Sequence, residues 1–322
     1  MRPILMKGHE RPLTFVKYNS DGDLLFSMAK DHNPTIWRAD DGTRLGVYKG
    51  HNGAVFTCDV THDSARLVTG SADQTVRLWD VRTGEELHRW SYREPARSVD
   101  FGEGEKLLAA TTDPFMGEPS KILVYRLDDD PAKLDSEPVM SLTGPEGRIT
   151  RAVWGPLNNT IVSVGEDGML RKWDAETGKV LHETQAHEKS IVCLQPSYDG
   201  TCFITGSHDK TAKLFDFYSL EELKTYSHEK PVLSAFVSPL LDHVVLAGGQ
   251  DASQVTLTSS KAGGFESKIV HKVYNTEVIG TVRGHFGPVN AIAYSPDGRS
   301  FVTGGEDGYV RLNHMDAEYF AL

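Results

Sequence analysis

A unit of four short strands recurs along the chain with a period of about 42 residues, and a fixed period of this length indicates a repeat architecture. Trp37 and Trp79 are separated by one period, as are Trp173 and Phe215. In four units a histidine precedes an aspartate at one constant spacing, and a third-strand residue, usually aromatic, follows six positions later. The histidine–aspartate pairs are His9 and Asp31, His51 and Asp73, His187 and Asp209, and His285 and Asp307.

The unit that begins at Ala54 shows the strand pattern most fully. Apolar and polar residues alternate over Val55–Val60, Arg66–Thr69 and Thr75–Asp80, and Gly, Asp and Ser residues separate these runs. Alternation with period two between turn residues predicts strands. No segment longer than a turn or two has helical periodicity. Seven such units fill residues 1–322, so we expect one domain.

Three units depart from this pattern. The third and fourth, at about 92–133 and 145–181, lack the histidine. In the sixth, Asp251 follows His228 at a spacing one residue longer than in the other units, and Leu257 takes the third-strand position. Insertions are expected at three places: 113–120, 128–138 and 258–274.

The last unit contains sequence for only three strands, near Val289–Tyr294, Ser300–Thr303 and Tyr309–Leu312. The segment Arg2–Met6 precedes the first unit and has no sheet of its own. An unpaired strand edge invites aggregation. We therefore predict that Arg2–Met6 pairs with Tyr309–Leu312 and closes the repeats into a ring.

Composition excludes several classes of protein. The chain has 34 Lys and Arg against 45 Asp and Glu, a formal net charge of −11, so we expect no direct nucleic-acid binding, which needs a basic surface. No apolar run is long enough to cross a bilayer, and the first ten residues lack a signal-peptide core. Three cysteines without C-x-x-C spacing fit a reduced compartment. We expect a cytoplasmic protein without membrane, metal or cofactor.

The motifs Gly50-His51, Thr69-Gly-Ser-Ala-Asp73 and Leu78-Trp79-Asp80 resemble a nearly complete repeat of the WD40 family, and the resemblance covers the whole chain. It implies an all-β fold, a seven-bladed β-propeller with one four-stranded sheet per blade. It also implies a buried hydrogen-bond network of His51, Thr69, Asp73 and Trp79 within a blade. The corresponding residues in other blades are His187, Thr205, Asp209, His9, Asp31, Trp37, His285, Thr303 and Asp307.

The same residue types also suggest a hydrolase triad, which combines His, Asp and a hydroxyl group. A catalytic site is needed once, whereas this group recurs around the ring. The structural interpretation is therefore favoured, and no catalytic residue is predicted.

A closer resemblance is carried by several longer segments, two of which, in the sixth and last units, the repeat itself does not require. They include the opening Met1–Thr14, Gly248–Thr256 in the sixth unit, and Phe286-Gly-Pro288 after the last Gly-His pair. These segments resemble the subunit i family of eukaryotic translation initiation factor 3. The resemblance implies a non-catalytic scaffold that binds the b and g subunits of that complex and supports recruitment of mRNA and initiator tRNA to the small ribosomal subunit, and scanning.

In that family the C-terminal helical segment of the b subunit docks near blades five and six. Carried to this chain, the resemblance implies a site that includes Asp199 and Asp216, on which two carboxylates can hold a basic residue. Phe217, Tyr218 and Tyr226 are candidate apolar contacts. Asp199 is also an ordinary turn aspartate, and Asp216 the ordinary residue after the third-strand aromatic.

Two other functions stay open from the sequence. The chain is also compatible with a WD40 adaptor in a signalling complex, because one blade pattern serves many partners. A propeller enzyme would need a polar cluster in the central channel that is not repeated from blade to blade. A strongly perturbed pKa in such a channel residue would favour it.

Overall fold

Seven four-stranded antiparallel sheets are arranged in a ring in the computed structural model, which describes residues 3–145, 147–249, 265–274 and 278–321. Each sheet is one blade of a β-propeller. The innermost strands surround the central channel: β2 Leu13–Tyr18, β6 Val55–Val60, β10 Ala96–Phe101, β14 Ile149–Trp154, β18 Ile191–Pro196, β22 Val232–Val237 and β26 Val289–Tyr294. The second strands are β3 Leu24–Ala29, β7 Arg66–Ser71, β11 Leu107–Thr112, β15 Thr160–Gly165, β19 Cys202–Ser207, β23 His243–Gly248 and β27 Ser300–Gly305.

The third and outer strands complete the blades. The third strands are β4 Thr35–Arg38, β8 Thr75–Asp80, β12 Lys121–Arg126, β16 Met169–Asp174, β20 Thr211–Asp216, β24 Glu266–His271 and β28 Val310–His314. The outer strands are β5 Arg44–Val47, β9 Glu86–Ser91, β13 Met140–Thr143, β17 Val180–Gln185, β21 Glu222–Ser227, β25 Val278–Arg283 and, in blade seven, β1 Ile4–Met6. Four short 3₁₀ segments occur in the described residues, at Glu103–Glu105, Pro131–Lys133, Pro156–Asn158 and Ala317–Ala321.

The second and third strands are the most buried, because blades pack face to face on both sides of them. The second strand of blade five, β19, is buried at all six residues. The outer strands are the most exposed, and β17 of blade four has no buried residue. Apolar burial is the main driving force for this packing, so the core is a set of clusters between neighbouring blades.

The predicted ring closure is confirmed. β1 pairs antiparallel with β28, with Ile4 opposite Leu312 and Met6 opposite Val310. Met6 is buried against blades one and seven. Leu5, which lies between Ile4 and Met6, points away from the core and is exposed. Arg2 of the predicted closing segment lies outside the described residues.

Three predicted boundaries were wrong because fourth strands in blades three and four, and the third strand in blade six, lie further along the chain than the repeat suggested. Blade three ends with Met140–Thr143, not at 133, and blade four ends with Val180–Gln185, not at 181. In blade six the expected insertion at 258–274 contains the third strand, Glu266–His271. Val270 takes the third-strand position that Trp79 has in blade two, while Asp251 and Leu257 lie outside the described residues.

We define two faces of the ring by the loops that they carry. The upper face holds the loops with His51 and Asp73 and their equivalents. The lower face holds the turns between first and second strands and between third and fourth strands, such as 61–65 and 81–85 in blade two. The four strands alternate in direction, so every blade presents the same kind of loop on the same face.

The closing strand gives a direct test of ring stability. Met6→Ala removes a side chain that is 2% exposed, and we expect a loss of about 2–5 kcal/mol in the free energy of unfolding. Leu5→Ala on the same strand is the matched control, because Leu5 is 44% exposed and its loss is expected to be within about 0.5 kcal/mol. Urea denaturation measures both. Equal effects of the two substitutions would contradict the closure account.

Candidate functional site

The repeated histidine of blade two links the loop before the blade to the turn between its second and third strands. His51 Nδ1 lies 2.8 Å from Asp73 Oδ2, and His51 Nε2 lies 2.7 Å from Thr69 Oγ1. The Trp79 indole N–H donates to the same Thr69 oxygen at 2.9 Å. With Asp73 accepting from Nδ1–H, Nε2 is the acceptor for the threonine hydroxyl. Each group in the chain is therefore satisfied.

The network recurs in other blades with local changes. In blade five His187 contacts Asp209 at 2.9 Å and Thr205 at 2.8 Å, and Phe215 supplies no indole donor. In blade seven His285 contacts Asp307 at 3.0 Å and Thr303 at 2.8 Å.

Blade one contains a network residue that sequence reasoning missed. His9 contacts Asp31 at 2.7 Å and Ser27 at 2.7 Å, and the Trp37 indole N–H donates to the Ser27 hydroxyl at 2.7 Å. Ser27 occupies the position of Thr69, ten residues before the tryptophan, so the spacing alone could have identified it. In blade four, which lacks the histidine, Ser163 and Trp173 keep the indole bond at 2.8 Å.

The electrostatics of this group oppose a catalytic role. Burial lowers the pKa of His51, although its hydrogen bond and charge interaction with Asp73 act in the opposite direction. Burial raises the pKa of Asp73, whereas its hydrogen bonds with His51 and Thr75 lower it. The resulting pKa lies well below the usual range for an aspartate. The Thr69 hydroxyl is fully buried and bonded on both sides. It cannot reach a substrate, so the network holds the blade together.

A basic residue also recurs two positions before the third-strand residue that is usually aromatic, and the sequence analysis missed it. Arg77 bonds Glu86 on the outer strand at 2.7 Å, and Lys213 bonds Glu222 at 2.8 Å in blade five. Blade seven has Arg311, which bonds Asp307 at 2.9 Å. These ion pairs join the third strand to the outer strand or to the upper turn.

The central channel contains the kind of perturbed group that would favour an enzyme. The fifth residues of the inner strands line its lower half: Lys17, Asp59, Asp100, Val153, Gln195, Phe236 and Ala293. Burial, followed by the negative charge of Asp59, raises the pKa of Asp100 to about 7. Lys17 forms an ion pair with Asp59.

The same two carboxylates have a structural use that repeats between blades. Asp59 accepts the backbone N–H of Phe101 at 2.7 Å, and Asp100 accepts that of Trp154 at 2.8 Å. Each carboxylate thus ties its inner strand to the inner strand of the next blade. Among the described residues, no three His, Cys, Asp or Glu side chains cluster as metal ligands. The channel carboxylates therefore act as ties between blades.

The residues predicted to bind the b subunit lie at one end of blade five, on the lower face. The Phe217 N–H donates to the carbonyl of Thr201 at 3.0 Å, which joins the turn after Asp216 to the turn that contains Asp199. Asp199 accepts from Ser197 and Thr201, while Asp216 accepts from Tyr218 and Ser219. These hydrogen bonds help to lower the pKa of both carboxyls below its usual range.

Two of the three candidate aromatics do not face solvent. Phe217 is buried and packs edge-on against Phe203 with ring centroids 5.2 Å apart. Tyr226 is also buried, and its hydroxyl donates to the Lys272 carbonyl of blade six at 2.9 Å. Neither ring offers a surface to a partner, which corrects their assignment as surface contacts. Tyr218, by contrast, is 68% exposed.

The lower face of blades five and six carries further exposed apolar side chains that the sequence analysis did not select. Tyr198 precedes Asp199, Leu240 lies in the first turn of blade six, and Val273 and Tyr274 follow the third strand of that blade. The Lys224 ammonium donates to the carbonyls of Val273 and Tyr274 at 2.7 and 2.8 Å. We call this set the docking surface: Tyr198, Asp199, Asp216, Tyr218, Leu240, Val273 and Tyr274.

Comparison with known proteins gives one family over the whole chain. The EIF3I family model matches residues 1–322. Eukaryotic translation initiation factor 3 subunit I of Xenopus tropicalis is 45% identical over 320 residues, covering 99% of this chain and 98% of its own. The rat protein of the same name is 46% identical over 321 residues, covering 99% of this chain and 98% of its own. The Bombyx mori protein of that name is 44% identical over 322 residues, covering 99% of this chain and 97% of its own.

The chain belongs to the translation initiation factor 3 subunit I family. Membership extends over all seven blades, so the docking surface and the channel both fall within the matched region. Within the described residues, no helix is long and apolar enough to cross a membrane. In this family member the arrangement that most resembles a catalytic group, the His–Asp–Thr set, is buried and repeated.

Loss of one blade's network should lower stability without affecting the other blades' geometry. We expect His51→Ala or Trp79→Ala to cost a few kcal/mol, because packing is lost and Thr69 keeps an unsatisfied group. His62→Ala is the control, since His62 is exposed on the lower face of the same blade. Thermal denaturation compares the three variants. An unchanged melting temperature for His51→Ala or Trp79→Ala would show that the network is not a stabilising element.

The buried histidines predict the pH dependence of stability. Burial lowers the pKa of His51, His187 and His285 in the folded state. The unfolded chain, with a histidine pKa near 6.5, therefore takes up more protons as the pH falls. The free energy of unfolding is therefore at its full value above about pH 7.5 with respect to these histidines, and it decreases as the pH falls through about 6.5. Urea denaturation between pH 8 and 5.5 measures this, and stability that rises on acidification over that interval would contradict it.

Proposed function

We propose that this chain is a non-catalytic scaffold of the translation initiation factor 3 complex. It binds the b and g subunits in the cytoplasm and supports recruitment of mRNA and initiator tRNA to the small ribosomal subunit, and scanning. It uses no cofactor and no metal, and it contacts the ribosome indirectly. The observation that carries the proposal is family membership over the whole ring, together with an exposed apolar and acidic surface on blades five and six.

The carboxylates of the docking surface keep acceptor capacity for a partner. Asp216 uses Oδ1 for the N–H groups of Tyr218 and Ser219, and Asp199 uses Oδ1 for Ser197 and Thr201. Among the described residues neither Oδ2 atom accepts a hydrogen bond, although the positive charges of Lys272 and Lys172 already act on Asp199 and Asp216. A lysine or arginine on an incoming helix can therefore form a charge-assisted hydrogen bond without breaking either turn.

The apolar part of the docking surface suits the other side of an amphipathic helix. Tyr218, Val273 and Tyr274 are exposed and are held by fixed backbone. Lys172 from blade four donates to the Tyr218 carbonyl at 2.7 Å, and Lys224 fixes the turn of Val273 and Tyr274. Binding then costs little ordering of these segments. A helix with apolar residues at i, i+3, i+4 and i+7 and a basic residue beside them fits this surface.

Affinity capture tests the proposed assembly. The tagged chain is recovered from cytosolic extract with RNase treatment, and bound proteins are identified by mass spectrometry. We expect the b and g subunits in amounts equal to the chain, because the contacts are between proteins. Their absence, with other proteins enriched, would move the function to an adaptor in a different complex.

A charge reversal tests the docking surface itself. Asp216→Lys should weaken binding of the C-terminal segment of the b subunit at least tenfold, because a favourable charged contact becomes repulsive. Asp80→Lys is the matched control, since Asp80 ends the third strand of blade two and accepts the Thr83 N–H in the same type of turn. Isothermal titration calorimetry at low salt measures both. Equal affinities for Asp216→Lys and Asp80→Lys would rule out this placement.

A further inference from the structure

The upper half of the central channel is a cup of about 450 Å³ that opens on the upper face. Its wall includes the second residues of all seven inner strands and several residues of the upper turns. The polar groups that matter below are Lys30, Arg97, Arg148, Arg151, Glu166, Ser190, Gln195 and His208. A volume in this range is typical of ligand pockets.

Arg151 forms the floor of the cup. It lies on the inner strand of blade four, but its Nη1 donates to Thr57 of blade two at 2.9 Å. Its guanidinium also lies over the Phe15 ring of blade one, 4.2 Å from the centroid. The side chain therefore crosses the channel and separates the cup from the lower cavity of about 410 Å³, which it also lines. The cup therefore has a cation at its base.

Two further guanidinium groups are fixed in the wall. Arg97 lies over the Phe56 ring at 3.8 Å and bonds Asp113 at 2.7 Å. Arg148 contacts the same Asp113 at 3.1 Å and bonds Glu166 at 2.8 Å. Asp113 and Glu166 thus pair with Arg97 and Arg148. The charge of Arg151 is balanced from below by Asp59 and Asp100 of the lower channel. Lys30 has no carboxylate partner among the described residues. Arginines held by stacking and ion pairs are pre-organised donors.

The cup also contains hydrogen-bond donors without acceptors. The Lys30 ammonium, the Ser190 hydroxyl, the Gln195 amide and the His208 ring line it, and none of these side chains has a hydrogen-bond or ion-pair partner among the described residues. The chain as a whole has a net charge of −11, so a pocket with excess cations and free donors is a local exception. Its chemistry is that of a site for an anion with several acceptor oxygens.

We propose that the cup binds an oxyanion, a phosphoryl or a carboxylate group, carried by a peptide segment. Lys30 and His208 at the rim contact the anion, and Arg97, Arg148 and Arg151 supply the positive potential beneath it. The pocket is too small for a folded domain, whereas one side chain with its flanking backbone fits. It lies on the face opposite the docking surface, so both sites can be occupied together.

Three N-acetylated, C-amidated pentapeptides test the proposal, with Gly-Gly-X-Gly-Gly carrying phosphoserine, glutamate or serine at X. Binding to the full-length chain is measured by NMR titration at pH 7.5. We expect the phosphoserine or the glutamate peptide, or both, to bind and the serine peptide not to bind. The tighter of the two anionic peptides identifies the source of the oxyanion. Equal behaviour of all three peptides, or no binding, overturns the proposal.

A pair of charge reversals locates the site. Lys30→Glu should weaken the anionic peptide about tenfold, the effect of one charged hydrogen bond. Lys179→Glu is the matched control, because Lys179 is exposed on the lower face of blade four and the net charge changes equally. Loss of affinity in Lys30→Glu alone supports the cup, and equal affinities in the two variants overturn it.

A titration with RNA distinguishes a peptide ligand from the other common source of phosphate. A hexauridylate is titrated into the unsubstituted chain, Lys30→Glu and Lys179→Glu. We expect weak binding at most and no dependence on Lys30, because the narrow cup admits one group rather than a strand. Lys30-dependent binding of the RNA, with none of the peptides, overturns the assignment of a peptide ligand. The result is independent of the b-subunit assay, which uses the other face.

Discussion

Closure of the ring is the constraint on which the rest of the structure depends. Three residue pairs between Ile4–Met6 and Val310–Leu312 join the two ends of the chain. They remove the unpaired edge of blade seven and hold the first and last blades together. Without closure the inner strands would not surround a channel, and the upper and lower loops would not form two defined faces.

Within the closed ring, blades one, two, five and seven are each fixed by a histidine–aspartate network of their own. The His51–Asp73 pair secures the upper turn, Thr69 and Trp79 connect it to the buried strands, and Asp59 and Asp100 tie neighbouring inner strands. These groups give the recurring His, Asp and Thr residues a structural role within and between blades. They produce a rigid support, and function then resides in the loops that the support presents.

The sequence predicted the fold well because the fold is periodic. Strand alternation and the constant spacing of the repeat depend on local pattern, so even the closing role of Ile4–Met6 could be predicted. Errors arose where a loop changed length, as in blade six, where the third strand at Glu266–His271 lies beyond the position that spacing from Asp251 indicates. The repeat carries no information on insertion length.

The candidate site was harder to predict from sequence than the fold. Asp216 and Tyr218 are adjacent to Phe217, and only packing decides that Tyr218 is exposed while Phe217 packs against Phe203. Tyr226 is of a residue type that often lies at the surface, but here its hydroxyl links two blades. The channel cup escaped prediction because its members come from different blades, and no local pattern brings Lys30, Arg97 and Arg151 together.

Hydrogen exchange of the chain, free and bound to the C-terminal segment of the b subunit, tests the central claim most directly. The account predicts slower exchange on binding in the lower turns of blades five and six, at 197–201, 217–221, 239–242 and 272–274. The equivalent turns of blade two, 61–65 and 81–85, should be unchanged. Protection confined to blade two or to the upper loops would contradict the account.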